Sequence, residues 1–420
     1  MTASMQHALT RTDGLRYGLL GMPLAFVALP LYVLLPNHYA REFGVPLAVL
    51  GALLLAVRVG DAVLDPWLGR ITDRLFAGAA NRVLRWGAMA AVLIGIGFAA
   101  IFFPPSRGDA LLPWAAVMLF ITSLGFSALT IAHQAWGAML GEDDAQRGAV
   151  VAWREGFGLA GVLLASLLPL LAGFAVSAAV LCMLLAAGCW AWARGPRPPS
   201  AARAGTTDWR LPLQQPRFRQ LIAIFLLNGI ASAVPATLVL FFVQDRLQAA
   251  PAMEPLFLGS YFVAAAVALP FWLAQVRRRG LAPTWLAGMG LAVAAFSGAS
   301  LLGAGDAWLF VGVCVLSGAA LGTDLALPAA LLAREIQAAG HGGRAEGAYF
   351  GWWNFAGKLN LALAAGLALP LLALAGYTPG ARSPEALRAL TLAYCALPCA
   401  LKLAAAALLH WRWIRPGKIA

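Results

Sequence analysis

Apolar residues fall in blocks of about twenty or more, separated by short polar stretches rich in Arg, Asp, Pro and Gly. A helix rises ~1.5 Å per residue, so a block of ~20 apolar residues crosses the hydrocarbon core of a bilayer. The pattern predicts helices over 16–35, 46–69, 83–104, 111–140, 153–173, 175–193, 219–243, 256–275, 284–303, 307–333, 347–375 and 388–412. The blocks at 111–140 and 347–375 exceed a perpendicular crossing, so tilt or an extension beyond the bilayer is expected there. The longest polar stretch runs from Arg194 to Arg219 and contains PRPPSAARAGTTD. The expected architecture is an all-α polytopic membrane protein with twelve transmembrane helices in two six-helix bundles, residues 1–193 and 219–420, joined by a linker over 194–218.

Composition narrows the class further. Of 420 residues, 61% are hydrophobic and 11% charged, with a mean hydropathy of +0.78. Soluble domains carry about 25% charged residues, so a water-soluble enzyme is excluded. The net charge of +12 does not indicate nucleic acid, because the basic residues lie between apolar blocks rather than in a stripe with exposed aromatics. It reads as topology. One side collects Arg11, Arg16, Arg70, Arg74, Arg82, Arg85, the linker arginines, Arg277 to Arg279 and Lys418, whereas the other holds only Arg41, Arg107, Arg246, Arg382 and Arg388. That asymmetry predicts both termini in the cytoplasm, and the cell's inner membrane is the expected location. The N-terminal residues lack the order of a cleaved signal, so the first helix is expected to be retained. All five cysteines sit inside apolar blocks, without disulfide or zinc spacing. Two six-helix halves joined by a basic linker is the plan of the major facilitator superfamily, and other twelve-helix transporters share the count.

Charges within the apolar blocks need a reason, since each mid-membrane Asp, Lys or Arg costs about 2.5 to 3.5 kcal/mol. In LLLAVRVGDAVLDPWLG, Arg58, Asp61 and Asp65 stand at i, i+3 and i+7, on one helix face. Lys358 and Asp324 lie in two later blocks. Permanent ion pairs would account for such a set. Two carboxylates sharing a partly compensated site would instead bind a proton or a cation, with Lys358 as the charge displaced when the site fills. Weaker candidates for a substrate cavity are Thr130, His133 and Gln134 in one helix and Trp353 and Asn354 in another; a buried His133 could equally be a packing residue. No phosphate-binding GxxxxGK[ST], HExxH, GxSxG or Cys/His metal spacing occurs. The chain is therefore expected to be no enzyme, to bind no cofactor or metal, and to draw on a proton or sodium gradient.

The run from Arg58 to Arg74, R-V-G-D-A-V-L-D-P-W-L-G-R-I-T-D-R, resembles the second-helix motif of the glycoside-pentoside-hexuronide:cation symporters. IAHQAWGAMLGEDDAQRGAVVAWREGFGLAG, TDLALPAALLA and GGRAEGAYFGWWNFAGKLNLALA resemble further segments of that family, in both halves. The resemblance implies the major facilitator fold, Asp61 and Asp65 as cation-site carboxylates, Lys358 as their partner and Arg154 as a cavity residue. Gly69, Asp73 and Arg74 would form a cytoplasmic gate. The family's melibiose carriers have an Asn where this chain has Leu64, and lack of that oxygen favours a proton over sodium, which needs several oxygen ligands. Their sugar-contacting acidic positions are Ala25 and Thr130 here, and Arg334 replaces an acidic residue. The expected activity is symport of a small polar solute such as a glycoside or uronide by alternating access, by a monomer with no nucleic-acid partner. Rival readings are a carrier of an amphipathic solute or lysolipid and a membrane sensor that transports nothing.

Overall fold

The computed structural model describes residues 10–105, 107–199, 208–378 and 380–415. Regular structure among them is helical: α1 (Arg11–Gly18), α2 (Gly21–Leu29), α3 (Leu35–Phe43), α4 (Leu47–Gly78), α5 (Ala80–Phe102), α6 (Leu111–Ala138), α7 (Asp144–Ala193), α8 (Leu211–Gln214), α9 (Pro216–Phe241), α10 (Glu254–Arg279), α11 (Leu281–Ala299), α12 (Ala307–Ala338), α13 (Glu346–Leu374), α14 (Pro384–Thr391) and α15 (Leu397–Leu409). Among the described residues, nine helical runs are long and apolar enough to cross a membrane. The expected crossings at 16–35, 46–69 and 347–375 correspond to α1–α3, to the 32-residue α4 and to the 29-residue α13.

Local chemistry sets several boundaries. Thr10 and Asp13 form a capping box that starts α1, and Asp143 Oδ1 accepts the Gln146 N–H at 2.7 Å to start α7. The continuous run α7 contains the two expected helices 153–173 and 175–193. They meet at Gly173, whose φ of 77° and ψ of 175° are non-helical and suit a residue without Cβ. Ser177 then donates to the Gly173 carbonyl at 2.8 Å, supplying a partner at the restart.

The chain divides into two compact units, residues 1–214 with 333–355, and residues 215–332 with 356–420. The first boundary lies inside the polar stretch 194–218. The expected halves did not anticipate the second feature: the end of α12, the following turn and the start of α13 pack within the first unit.

Glycine lets helices approach closely inside each unit. In the first, a Cβ on Gly161 of α7 would come within 2.1 Å of the Met22 carbonyl on α2. In the second, a Cβ on Gly318 of α12 would come within 2.2 Å of the Tyr261 carbonyl on α10. Membrane helices gain van der Waals contact this way, because lipid supplies no hydrophobic drive between them.

The outer faces are apolar too. On α4, Leu55, Val59, Val63 and Trp67 recur every four residues and are all at least half exposed, and Met89, Val92 and Ile96 on α5 likewise. Helices apolar on both faces suit a lipid surround.

Candidate functional site

The inner face of α4 carries the charged set. Asp61 and Asp65 are 1% and 0% exposed, and Arg58 one turn earlier is half-buried. Ser127 on α6 donates to Asp61 Oδ1 at 2.9 Å, a contact not anticipated from sequence. The helix therefore turns lipid-compatible residues outward and both carboxylates into the first unit. Lys358 stands on the part of α13 that belongs to the second unit.

Farther along α4, Asp73 is buried and accepts the backbone N–H groups of Gly347 at 2.7 Å and Ala348 at 2.9 Å. These belong to the first turn of α13, where amides lack intrahelical acceptors and the helix dipole favours an anion. Contact is tight: a Cβ on Gly69 would lie 2.2 Å from the Gly347 carbonyl oxygen, and one on Gly347 would lie 2.3 Å from that of Gly69. Gly351 of α13 similarly faces the Asp65 carbonyl. Gly69 and Asp73 thus join α4 to the start of α13. Arg74, expected beside them, is exposed and makes no hydrogen bond or ion pair among the described residues. Its position on α4, one residue beyond Asp73, turns it away from the contact.

Other groups reinforce the same layer. Arg334 Nη1 reaches Asp144 Oδ2 at 3.2 Å, and Asp144 also faces Arg147 at 3.6 Å. Trp67, Trp209 and Trp352 stack in a row with ring centroids 5.7 Å apart, and Trp352 Nε1 donates to the Trp209 carbonyl at 2.9 Å. Trp209 lies in the expected linker. Glu346, the first residue of α13, accepts the Gly343 N–H at 2.6 Å. Burial and the nearby Arg344 lower the His341 imidazole, which bonds the Tyr349 hydroxyl at 2.9 Å.

The expected cavity residues separate into groups. Gln134 and Asn354 meet, with Asn354 Nδ2 donating to Gln134 Oε1 at 2.6 Å, while Trp353 is buried and Thr130 half-buried. His133 is corrected to a packing residue: its ring is fully buried, stacks on Tyr17 at 4.2 Å and meets Trp192 edge-on. Its Nε2 bonds the Tyr17 carbonyl at 2.9 Å, while the Tyr17 hydroxyl donates to the His133 carbonyl at 3.0 Å. Its Nδ1 is buried and makes no hydrogen bond among the described residues. Arg154 forms an ion pair with the adjacent Glu155.

Asp324 belongs to a separate cluster in the second unit. Lys402 on α15 reaches Asp324 Oδ2 at 2.8 Å and Asn228 Oδ1 at 2.8 Å. Lys402 lies outside the set of charges singled out by spacing in the sequence, and 78 positions separate it from Asp324. Among the described residues, no group of three or more His, Cys, Asp or Glu is placed to hold a metal ion.

Buried charges on helices with lipid-compatible outer faces, in two compact helical units, are the build of a polytopic membrane protein. The profile of the MFS/sugar transport protein family matches residues 15–412, and the chain belongs to that family. It is 30% identical over 158 residues to the putative glycoside/cation symporter YagG of Escherichia coli K12, and 26% over 131 residues to the inner membrane symporter YicJ of the same organism. These stretches cover 37% and 31% of this chain, and only 34% and 28% of those two relatives. Among solved structures, a bacterial homologue of the iron transporter ferroportin superposes with a TM-score of 0.72 at 19% identity, covering 95% of this chain and 98% of that one. The transporter FucP superposes at 0.66 and 14% identity, covering 95% and 99%. Both support the major facilitator fold.

Proposed function

We propose that this protein is a cation-coupled symporter of a small polar solute, of the glycoside or uronide kind, working by alternating access in the inner membrane with both termini cytoplasmic. The observation that carries the reading is the pair Asp61 and Asp65, buried one helical turn apart on the inner face of a membrane helix. Two close carboxylates cannot both hold full charge cheaply, so binding a cation at one lowers the cost of the other. The gain a cation draws from the solute-bound state is returned to the solute by linkage.

A proton is preferred to sodium. Sodium needs several oxygen ligands, and the α4 position just before Asp65 is Leu64, which offers none. The names of the two Escherichia coli relatives support symport, and that of YicJ supports the inner membrane.

The layer around Asp73 is the gate. Residues 333–355 are continuous with helices of the second unit yet pack in the first, and we assign the gate role to the contacts of Asp73, Gly69, Arg334 and the tryptophan row within that unit. Arg74, exposed on α4, lies outside these contacts.

The test is solute-induced proton movement in proteoliposomes, screened over glycosides, uronides, nucleosides and lysolipids, with Asp65→Asn in parallel. Proton uptake driven by a glycoside or uronide and abolished in the variant is expected. Solute flux without proton or sodium, unchanged in Asp65→Asn, would reduce both aspartates to structural groups.

A further inference from the structure

Five helices of the second unit, α9, α10, α11, α12 and α15, enclose a cavity of about 270 Å³. Most of its wall is apolar, including Val239, Phe257, Leu258, Phe262 and Phe296, while Asp324 and Lys402 also line it. Predominantly apolar walls with a few placed polar groups are the usual make-up of a small-molecule site. None of the cavity's residues comes from α4, so it stands independently of whether Asp61 and Asp65 couple transport.

Counting donors and acceptors indicates what the polar groups can take. The Asp324 carboxylate accepts four hydrogen bonds: from Asn228 Nδ2 at 3.0 Å and Trp285 Nε1 at 2.9 Å on one oxygen, and from Ser232 Oγ at 3.2 Å and Lys402 Nζ at 2.8 Å on the other. A carboxylate has about four lone-pair positions, so it has no capacity left for a ligand's donor. Lys402 is different. Its ammonium has three N–H donors, and two are committed, to Asp324 and Asn228. The hydroxyls of Tyr261 and Tyr394, which line the same cavity, make no hydrogen bond among the described residues. The cavity thus offers spare donors against a saturated carboxylate, and a ligand suited to it brings an acceptor head and an apolar body.

We propose that this cavity binds a small monocarboxylate with an aromatic or branched apolar body, its carboxylate at the Lys402 end and its body among the phenylalanines. At ~30 Å³ for a water-sized volume element, the space suits on the order of ten non-hydrogen atoms. Phenylpropionate is such a molecule.

Binding of phenylpropionate, its neutral amide and glucuronate to the purified full-length protein in lipid nanodiscs, followed by calorimetry, tests the assignment. Phenylpropionate is expected to saturate one site, with the amide about tenfold weaker, as for loss of one charge-assisted hydrogen bond. Glucuronate, lacking an apolar body, is expected not to bind there. Tyr261→Phe with Tyr394→Phe preserves shape and removes only the hydroxyls, and should weaken phenylpropionate about tenfold; Ala292→Phe should fill the cavity and abolish binding. No saturable binding of phenylpropionate to folded wild type overturns the proposal, as does equal binding of acid and amide, displacement of bound phenylpropionate by glucuronate, or insensitivity to the paired tyrosine change. The tyrosine variant keeps the test decisive if Ala292→Phe fails to fold.

Discussion

At the scale of single residues, charge inside a membrane helix is governed by what meets it. Lys402 and Asp324 neutralise one another at 2.8 Å, with Asn228, Trp285 and Ser232 completing the shell. Lys402→Met is expected to lower the thermal stability of the purified protein by about 3 to 5 kcal/mol, because it strands a buried carboxylate. Lys402→Met combined with Asp324→Asn should recover most of that loss; a double variant no more stable than the single would show that the charge is not what matters. Asp73 presents a second case. Asp73→Asn replaces a carboxylate that accepts two N–H bonds by an amide with one oxygen, and should cost about 1 to 3 kcal/mol. Hydrogen exchange at residues 346–350 would reveal this as faster exchange of the first turn of α13, while unchanged exchange would remove Asp73 from the gate. His133 marks the limit of residue-level reading: a His between Ala132 and Gln134 looks the same in sequence whether it faces a solute or, as here, Tyr17 and Trp192.

At the scale of elements, α4 carries three requirements on one 32-residue helix. Its exposed stripe faces outward, its carboxylates face inward, and Gly69 lets α13 approach to backbone contact. Gly69→Ala places a Cβ at 2.2 Å from the Gly347 carbonyl oxygen, so the helices must separate, at a cost of about 1 to 3 kcal/mol. Gly51→Ala on the same helix meets open space and should be neutral or slightly stabilising, since Ala is the better helix former. The pair, compared by thermal unfolding and by exchange at 346–350, separates the close approach from helix propensity; equal effects would refute the contact's importance. The charge spacing, Pro66 and Gly69 were legible in the α4 sequence, because they sit at helical offsets on one segment. What meets them was not.

At the scale of the whole molecule, the asymmetry of Lys and Arg predicts orientation. A membrane-impermeant maleimide, read by site-resolved mass spectrometry, is expected to label Arg278→Cys only in inverted membrane vesicles and Asp109→Cys only in right-side-out ones; the opposite pattern would invert the topology. Residue order by itself determined the helical blocks, the break near Gly173, the polar stretch between bundles and the presence of charges where lipid penalises them. Each depends on a local quantity: apolar run length, backbone freedom or position within a helical turn. Tertiary structure alone decided that Lys402 pairs with Asp324, that Ser127 reaches Asp61, that residues 333–355 pack in the first unit, and that Arg74 stays outside its contacts. Those pairings join positions tens to hundreds of residues apart, and many spacings between apolar helices would satisfy lipid equally well. Close packing at glycines and the need to neutralise buried charge select among them, and both act only once the helices are side by side.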